Sequence, residues 1–194
     1  AGYHHSMVLT DEGEVLTFGR AQYGQLGHGD RVHQREPKLI EALRGVRVVA
    51  IAAGGFHSLA LTDEGQVLSF GGGWVGQLGQ SDREGLWHAS YNDVPAPRPI
   101  DALRRRGVRV AAIAAGDTLS MLLTDDGAVL AFGGGQHGQI GHNGEGLDKY
   151  EPQPVGALGG VRVVAIAAGR ARLMALTDEG AALSFSRLTK RNDN

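Results

Sequence analysis

Three stretches of the chain are almost wholly apolar and rich in β-branched residues: Val46–Ala53, Val108–Ala115 and Val161–Ala168. Each is closed by Gly at both ends (Gly45 and Gly54, Gly107 and Gly116, Gly160 and Gly169). Short apolar runs between turn residues predict strands buried on both faces. Their Ala positions would let neighbouring sheets approach closely. A second pattern follows each run. In one copy it reads His57-Ser58-Leu59-Ala60-Leu61, polar Asp63-Glu64-Gly65, then Gln66-Val67-Leu68-Ser69-Phe70. Asp opens a type I turn and Gly takes the left-handed residue that closes it, so the segment predicts a hairpin with a Gly bulge. Gly13, Gly127 and Gly180 hold the same phase.

A Gly-Gln-Leu/Ile-Gly turn comes next, at Gly24, Gly76 and Gly138. A polar connection then leads to Pro37, Pro97 or Pro152, each three residues before Ile40, Ile100 or Val155. The unit is three or four short antiparallel strands, with no helix expected. Ala-Gly opens the copies at Ala1, Ala53, Ala115 and Ala168, at spacings of 52, 62 and 53 residues. Repeats of this length mean a solenoid, a propeller or an array. A sheet of three or four strands cannot bury both faces alone, so copies must stack, and radial stacking gives a β-propeller. The fold expected is all-β, a single partial propeller over residues 1–194, with repeats near 1–52, 53–114, 115–167 and an incomplete 168–194. Such an arc exposes strand edges. Missing repeats or another chain are expected to cover them, and the fragment by itself is expected to associate or dissolve poorly.

Composition narrows the function more than the fold. Gly is in excess, 31 residues, and recurs at fixed phase rather than in linker-like runs. A formal net charge of −2 argues against a polyanion-binding surface, so nucleic acid is not an expected partner. Absence of Cys excludes a disulfide scaffold, a thiol nucleophile and Cys-type zinc sites, and fits a reducing compartment. No apolar run reaches the ~20 residues of a membrane helix, so no membrane partner is expected.

Residues that suggest chemistry mostly fall back into the period. His5 and His57 share one repeat phase and His28 and His142 another. They read as structural histidines bonded to neighbouring backbone and as turn residues, not as metal ligands. Asp11-Glu12, Asp63-Glu64, Asp125-Asp126 and Asp178-Glu179 sit at periodic hairpin tips, whereas acid–base catalysis needs two carboxylates converging on one point. Gly71-Gly72-Gly73 and Gly133-Gly134-Gly135 lack the Lys-Ser/Thr and helix of a phosphate loop. No catalytic, cofactor or metal site is expected.

The departures from the period are the candidate contacts. The 62-residue spacing exceeds its neighbours by ten. Eight of these lie around Ser81–Val94, a loop that brings Trp87, His88 and Tyr91, residue types that dominate protein–protein hot spots. The other two lie in Arg104-Arg105-Arg106, a local basic patch. Trp74, in the variable pair before the Gly-Gln-Leu-Gly turn that corresponds to Gln22-Tyr23 and Gln136-His137, is a further candidate.

The strings AGGFHSLALTDEGQVLSFGGGWVGQLGQ and VRVVAIAAG resemble repeats of the regulator of chromosome condensation family, and the resemblance covers essentially the whole chain. Members form seven-bladed propellers, so about three and a half repeats, half a propeller, are present. Departures exist: Phe18, Phe70, Phe132 and Phe185 stand where Trp is usual, and His-Ser at 5–6 and 57–58 becomes Leu119-Ser120 and Arg172-Leu173. The resemblance implies a non-enzymatic scaffold within a larger intracellular protein, binding a protein partner through blade loops. Its alternatives are nucleotide exchange on a small GTPase, or the partner-binding propeller of a HECT ubiquitin ligase whose catalysis lies outside this chain. A light-sensing role, which in one plant relative uses clustered Trp, fits poorly with Trp74 and Trp87 in different repeat phases.

Overall fold

The computed structural model describes residues 1–80, 93–135, 140–141 and 147–186. Fourteen strands among them form four antiparallel sheets. The first holds β1 (His5–Leu9), β2 (Val15–Gly19) and β3 (Gln34–Leu39). The second is β4 (Val48–Ala53), β5 (His57–Thr62), β6 (Val67–Gly71) and β7 (Val94–Pro99). The third repeats it with β8 (Val110–Ala115), β9 (Leu119–Thr124), β10 (Val129–Gly133) and β11 (Lys149–Pro154). The fourth is β12 (Val163–Ala168), β13 (Arg172–Thr177) and β14 (Ala182–Ser186). Strands pair strictly in sequence order, and adjacent sheets meet along β1, β4, β8 and β12, so the sheets fan out as blades of a partial propeller. No helix among the described residues is long and apolar enough to cross a membrane.

The hairpins form as their residues predict. Gly65 takes φ 78° and returns its N–H to the Thr62 carbonyl at 3.0 Å, while Thr62 Oγ1 accepts from the Gln66 N–H at 3.1 Å. The same turn recurs at Gly13, Gly127 and Gly180. After the outer strands, Glu41–Leu43 and Gly156–Leu158 are single 3-10 turns. Between them in the chain, a short α-helix, α1 (Asp101–Arg105), replaces the irregular connection expected. Its cause is the Arg insertion: two added residues allow the turn to continue, with Asp101 at its start, Arg104 and Arg105 at its end, and Ala102 and Leu103 buried.

The expectation that the apolar runs are buried on both faces is corrected. In β4, β8 and β12 one face is covered, with Val48, Val110 and Val163 at 2%, 4% and 2% exposure, while Val49 and Val164 are about half exposed. The strands with every residue enclosed are β5, β9 and β10. The reason is radial. Strands within a sheet are sandwiched between neighbouring sheets, whereas innermost strands are packed on one side, against the innermost and second strands of the adjacent sheet, and open at the hub on the other. The core is accordingly three clusters, one at each sheet–sheet interface, such as Leu119, Met121 and Leu123 against Leu173 and Ala175.

Candidate protein-interaction face

In an antiparallel blade the β4–β5 and β6–β7 connections emerge at one end and the β5–β6 hairpin at the other. Ala-Gly loops and Gly-Gln-Leu-Gly turns therefore share one face of the arc. How tightly they pack is set by His5 and His57. His57 Nε2 lies 2.8 Å from Ser120 Oγ of the next sheet, and Ser120 Oγ donates to the Gln77 carbonyl at 2.8 Å. His5, Ser58 and Gln25 repeat the arrangement at 2.9 Å and 2.9 Å. These histidines thus bond a hydroxyl of the following blade, not the backbone expected. Their rings press on the Ala-Gly loop: a Cβ on Gly54 would meet His57 Cε1 at 2.3 Å. His28 likewise bonds a side chain, with Nε2 3.1 Å from Thr17 Oγ1.

Two phases of these loops change residue type from blade to blade. Gly55 has no side chain, and a Cβ there would meet the Asp117 backbone at 2.8 Å. Tyr3, in the same phase, reaches across to donate to the Asp117 carboxylate, which also accepts from Arg170 Nε at 3.1 Å. Bonding to that carboxylate holds the Tyr3 phenol above its usual pKa. Three blades are so joined at the hub by side chains from equivalent positions.

Beside them lies a run of aromatic rings. Tyr3 stands edge-on to Phe56 with centroids 5.3 Å apart, Phe56 to Tyr23 at 5.7 Å, and Tyr23 to Trp74 at 5.0 Å. Phe56 and Trp74 close the group at 5.3 Å. Aromatics make up 6% of the chain, so four rings in continuous contact at one place is a concentration. Tyr3 is exposed and the other three are half-buried, presenting edges and faces to solvent. Arg20 and His4 are exposed on the same rim.

The sequence candidates separate. Trp74 is in the aromatic group. Arg104, Arg105 and Arg106 stand at the opposite end of the blades, on and just after α1, and are partly engaged. Arg104 pairs with Asp101 at 3.3 Å and Arg105 with Glu151 at 3.2 Å. Arg106 donates to the Pro152 carbonyl at 2.9 Å. Trp87, His88 and Tyr91, with His142, lie outside the described residues. Tyr3, Phe56, Asp117 and Arg170 escaped the sequence reading because each looks ordinary in its own copy. Superposing the copies by phase would have found them, since Tyr3, Gly55, Asp117 and Arg170 then occupy one position with four chemistries.

The family model for the regulator of chromosome condensation (RCC1) repeat matches residues 12–61, 64–123 and 126–176. A second model of the same repeat matches 48–77 and 110–139. The chain is 37% identical to human E3 ubiquitin-protein ligase HERC2 over 187 residues, 96% of this chain and 4% of that one. It is 36% identical to the Ultraviolet-B receptor UVR8 of Arabidopsis thaliana, covering 93% of this chain and 39% of the receptor. Among solved structures, human WBSCR16 aligns with TM-score 0.81 and 27% identity, over 96% of this chain and 46% of that one. Prp20p of Saccharomyces cerevisiae aligns with TM-score 0.76 and 28% identity, over 96% and 42%. The chain thus spans less than half the length of each of these relatives. Repeat phase, blade topology and these matches agree: the chain belongs to the regulator of chromosome condensation (RCC1) repeat family.

Proposed function

We propose that the chain is a non-enzymatic protein-binding module of a larger protein, and that its contact surface is the aromatic face of Tyr3, Tyr23, Phe56 and Trp74. The observation that carries this is the ring group itself, assembled from loop positions whose residue differs from blade to blade. Aromatic rings on a rigid support give large contact area at small ordering cost, and Trp and Tyr are the commonest hot-spot residues. Backbone bonds such as Gly55 N–H to the Gly116 carbonyl, 3.0 Å, hold the supporting loops in place.

The relatives suggest which partners to assay. Prp20p is described by its binding to Gsp1p and histones, which supports a small GTPase as one probe. HERC2 is named as a ubiquitin ligase, which supports a substrate-binding role with catalysis outside this chain. Substituting Tyr23→Ala and Trp74→Ala together in the full-length protein should weaken capture of its partner at least tenfold, with the melting temperature little changed. Arg104→Ala, at the opposite end, should leave capture intact. Loss of binding with Arg104→Ala and not with the aromatic pair would place the contact elsewhere and overturn the reading.

A further inference from the structure

Tyr3, Gly55, Asp117 and Arg170 each follow an Ala-Gly pair, and so hold one position of the hub loop in four successive sheets. The backbone pins the third of them from both sides. Asp117 N–H donates to the Arg170 carbonyl at 3.1 Å, and the Asp117 carbonyl accepts from the Gly55 N–H at 3.2 Å. The Asp117 side chain is mostly enclosed, with 20% of its surface exposed. Its carboxylate is therefore a fixed acceptor rather than a freely solvated charge. One oxygen, Oδ2, takes both the Tyr3 hydroxyl and Arg170 Nε, the latter at 3.1 Å.

Tyr3 has the opposite character. It precedes β1, lies outside any strand and is 45% exposed. Its ring meets Phe56 only by an edge and stands 6.3 Å from His4. A ring so placed keeps its rotamer freedom unless its far end is tied. The tie is Asp117, 114 positions along the chain and two sheets away. Gly55, at that phase in the sheet between, has no side chain to interpose. A hydrogen bond to an ionised acceptor is roughly twice as strong as a neutral one. Arg170 adds less, since its side chain is 85% exposed and exposed pairs contribute little.

We propose that Asp117 is a positioning residue, which holds the Tyr3 ring edge-on to Phe56 and so fixes one end of the aromatic surface. It acts through Tyr3 rather than by touching a partner. Its bearing on affinity rests on the binding role proposed above, whereas the positioning does not. A ring already held in place loses less freedom on binding, which is worth about three- to tenfold in affinity for one side chain.

Titration of the Tyr3 phenol tests the positioning without any partner. Phenolate absorbance of the full-length protein, less that of its Tyr3→Phe variant, isolates this one group. The same subtraction is made in Asp117→Ala and Asp117→Asn backgrounds, with circular dichroism as the control for folding. A phenol that donates to a carboxylate resists ionisation, so the midpoint should lie above the usual value of about 10. It should fall to that value in Asp117→Ala. In Asp117→Asn it should fall part of the way, because the amide oxygen still accepts the bond but carries no charge. Asp117→Asn also remains readable if Asp117→Ala does not fold. Equal midpoints with and without the carboxylate would overturn the assignment.

Affinity is read in the capture assay above, with a small GTPase as the probe. Asp117→Ala should weaken capture about three- to tenfold, and Asp117→Asn less. Adding Asp117→Ala to Tyr3→Phe should cost nothing further, since the tie is already cut. Additive losses, or a probe released by the Tyr23–Trp74 pair and indifferent to Asp117→Ala, would overturn the positioning role in binding. A probe that responds to none of these substitutions overturns the surface reading alone, and the titration then decides for or against Asp117.

Discussion

Ser120 Oγ donates its one proton to the Gln77 carbonyl, so toward His57 it can only accept. That fixes the tautomer: Nε2 carries the proton, and Nδ1 is a bare, buried acceptor without a partner among the described residues, as it also is in His5. A second proton would place an unpaired charge inside the sheet interface. Burial therefore lowers the pKa of His5 to about 4 and of His57 to about 3. Both values lie below the usual 6.5 of an unfolded chain, so the unfolded state binds protons first. Stability from this source is fully present above pH 6.5 and is lost as pH falls through 6.5 toward 4 and then 3. Chemical denaturation at pH 7.5 and 5 should show a clear loss at the lower pH. His57→Leu should reduce that difference, while costing about 1–3 kcal/mol at neutral pH by removing a buried hydrogen bond and changing ring packing. Gly54→Ala should cost at least as much in the same assay, because its Cβ would overlap the His57 ring and meet the Gly116 carbonyl at 2.6 Å.

At the scale of elements, the same connection is built two ways. Glu41–Leu43 and Gly156–Leu158 close in one 3-10 turn, while the two added residues of the Arg stretch extend the equivalent turn into α1 and direct Arg105 and Arg106 at the neighbouring blade. Their ties to Glu151 and Pro152 are solvent-accessible, with the Arg105 and Glu151 side chains 46% and 28% exposed. Exposed pairs contribute little, so Arg105→Ala should change the unfolding free energy by less than about 1 kcal/mol in a urea titration. The strands and hairpins were legible because their signals are local: alternation, Asp-Glu-Gly at the turn, Gly-Gln-Leu-Gly beyond it. Helix α1 was not, since five residues with a single buried Ala-Leu pair carry no periodicity long enough to read.

Over the whole molecule, blade faces that look alike in sequence differ in what covers them. Met121 and Met174 share a repeat phase, yet Met121 is sealed against the fourth sheet and Met174 is 48% exposed. In the 194-residue chain, Met174→Lys should therefore alter stability by less than about 0.5 kcal/mol, whereas Met121→Lys should abolish cooperative unfolding. Far-UV circular dichroism against urea separates the two. The interfaces also change character along the arc. Two are latched by His and Ser, and the third replaces both with Leu119 and Leu173, each almost completely buried. Acid should accordingly loosen the contacts of the first three sheets before that of the fourth, a difference that site-resolved exchange at pH 5 would register.

The amino-acid sequence alone determined the all-β blade, its hairpins, its period and the ten residues that break it, because each of these is encoded by neighbours along the chain. It also placed the His, acidic and Gly clusters in the phase of the repeat. Only the tertiary structure decided which blade each His serves, that the innermost strands are half open, and that Tyr3, Tyr23, Phe56 and Trp74 form one surface. These four residues come from two blades and up to 71 positions apart. Their meeting depends on the angle between sheets, which Gly, Ala and the His–Ser contacts set at the interface and no single repeat contains.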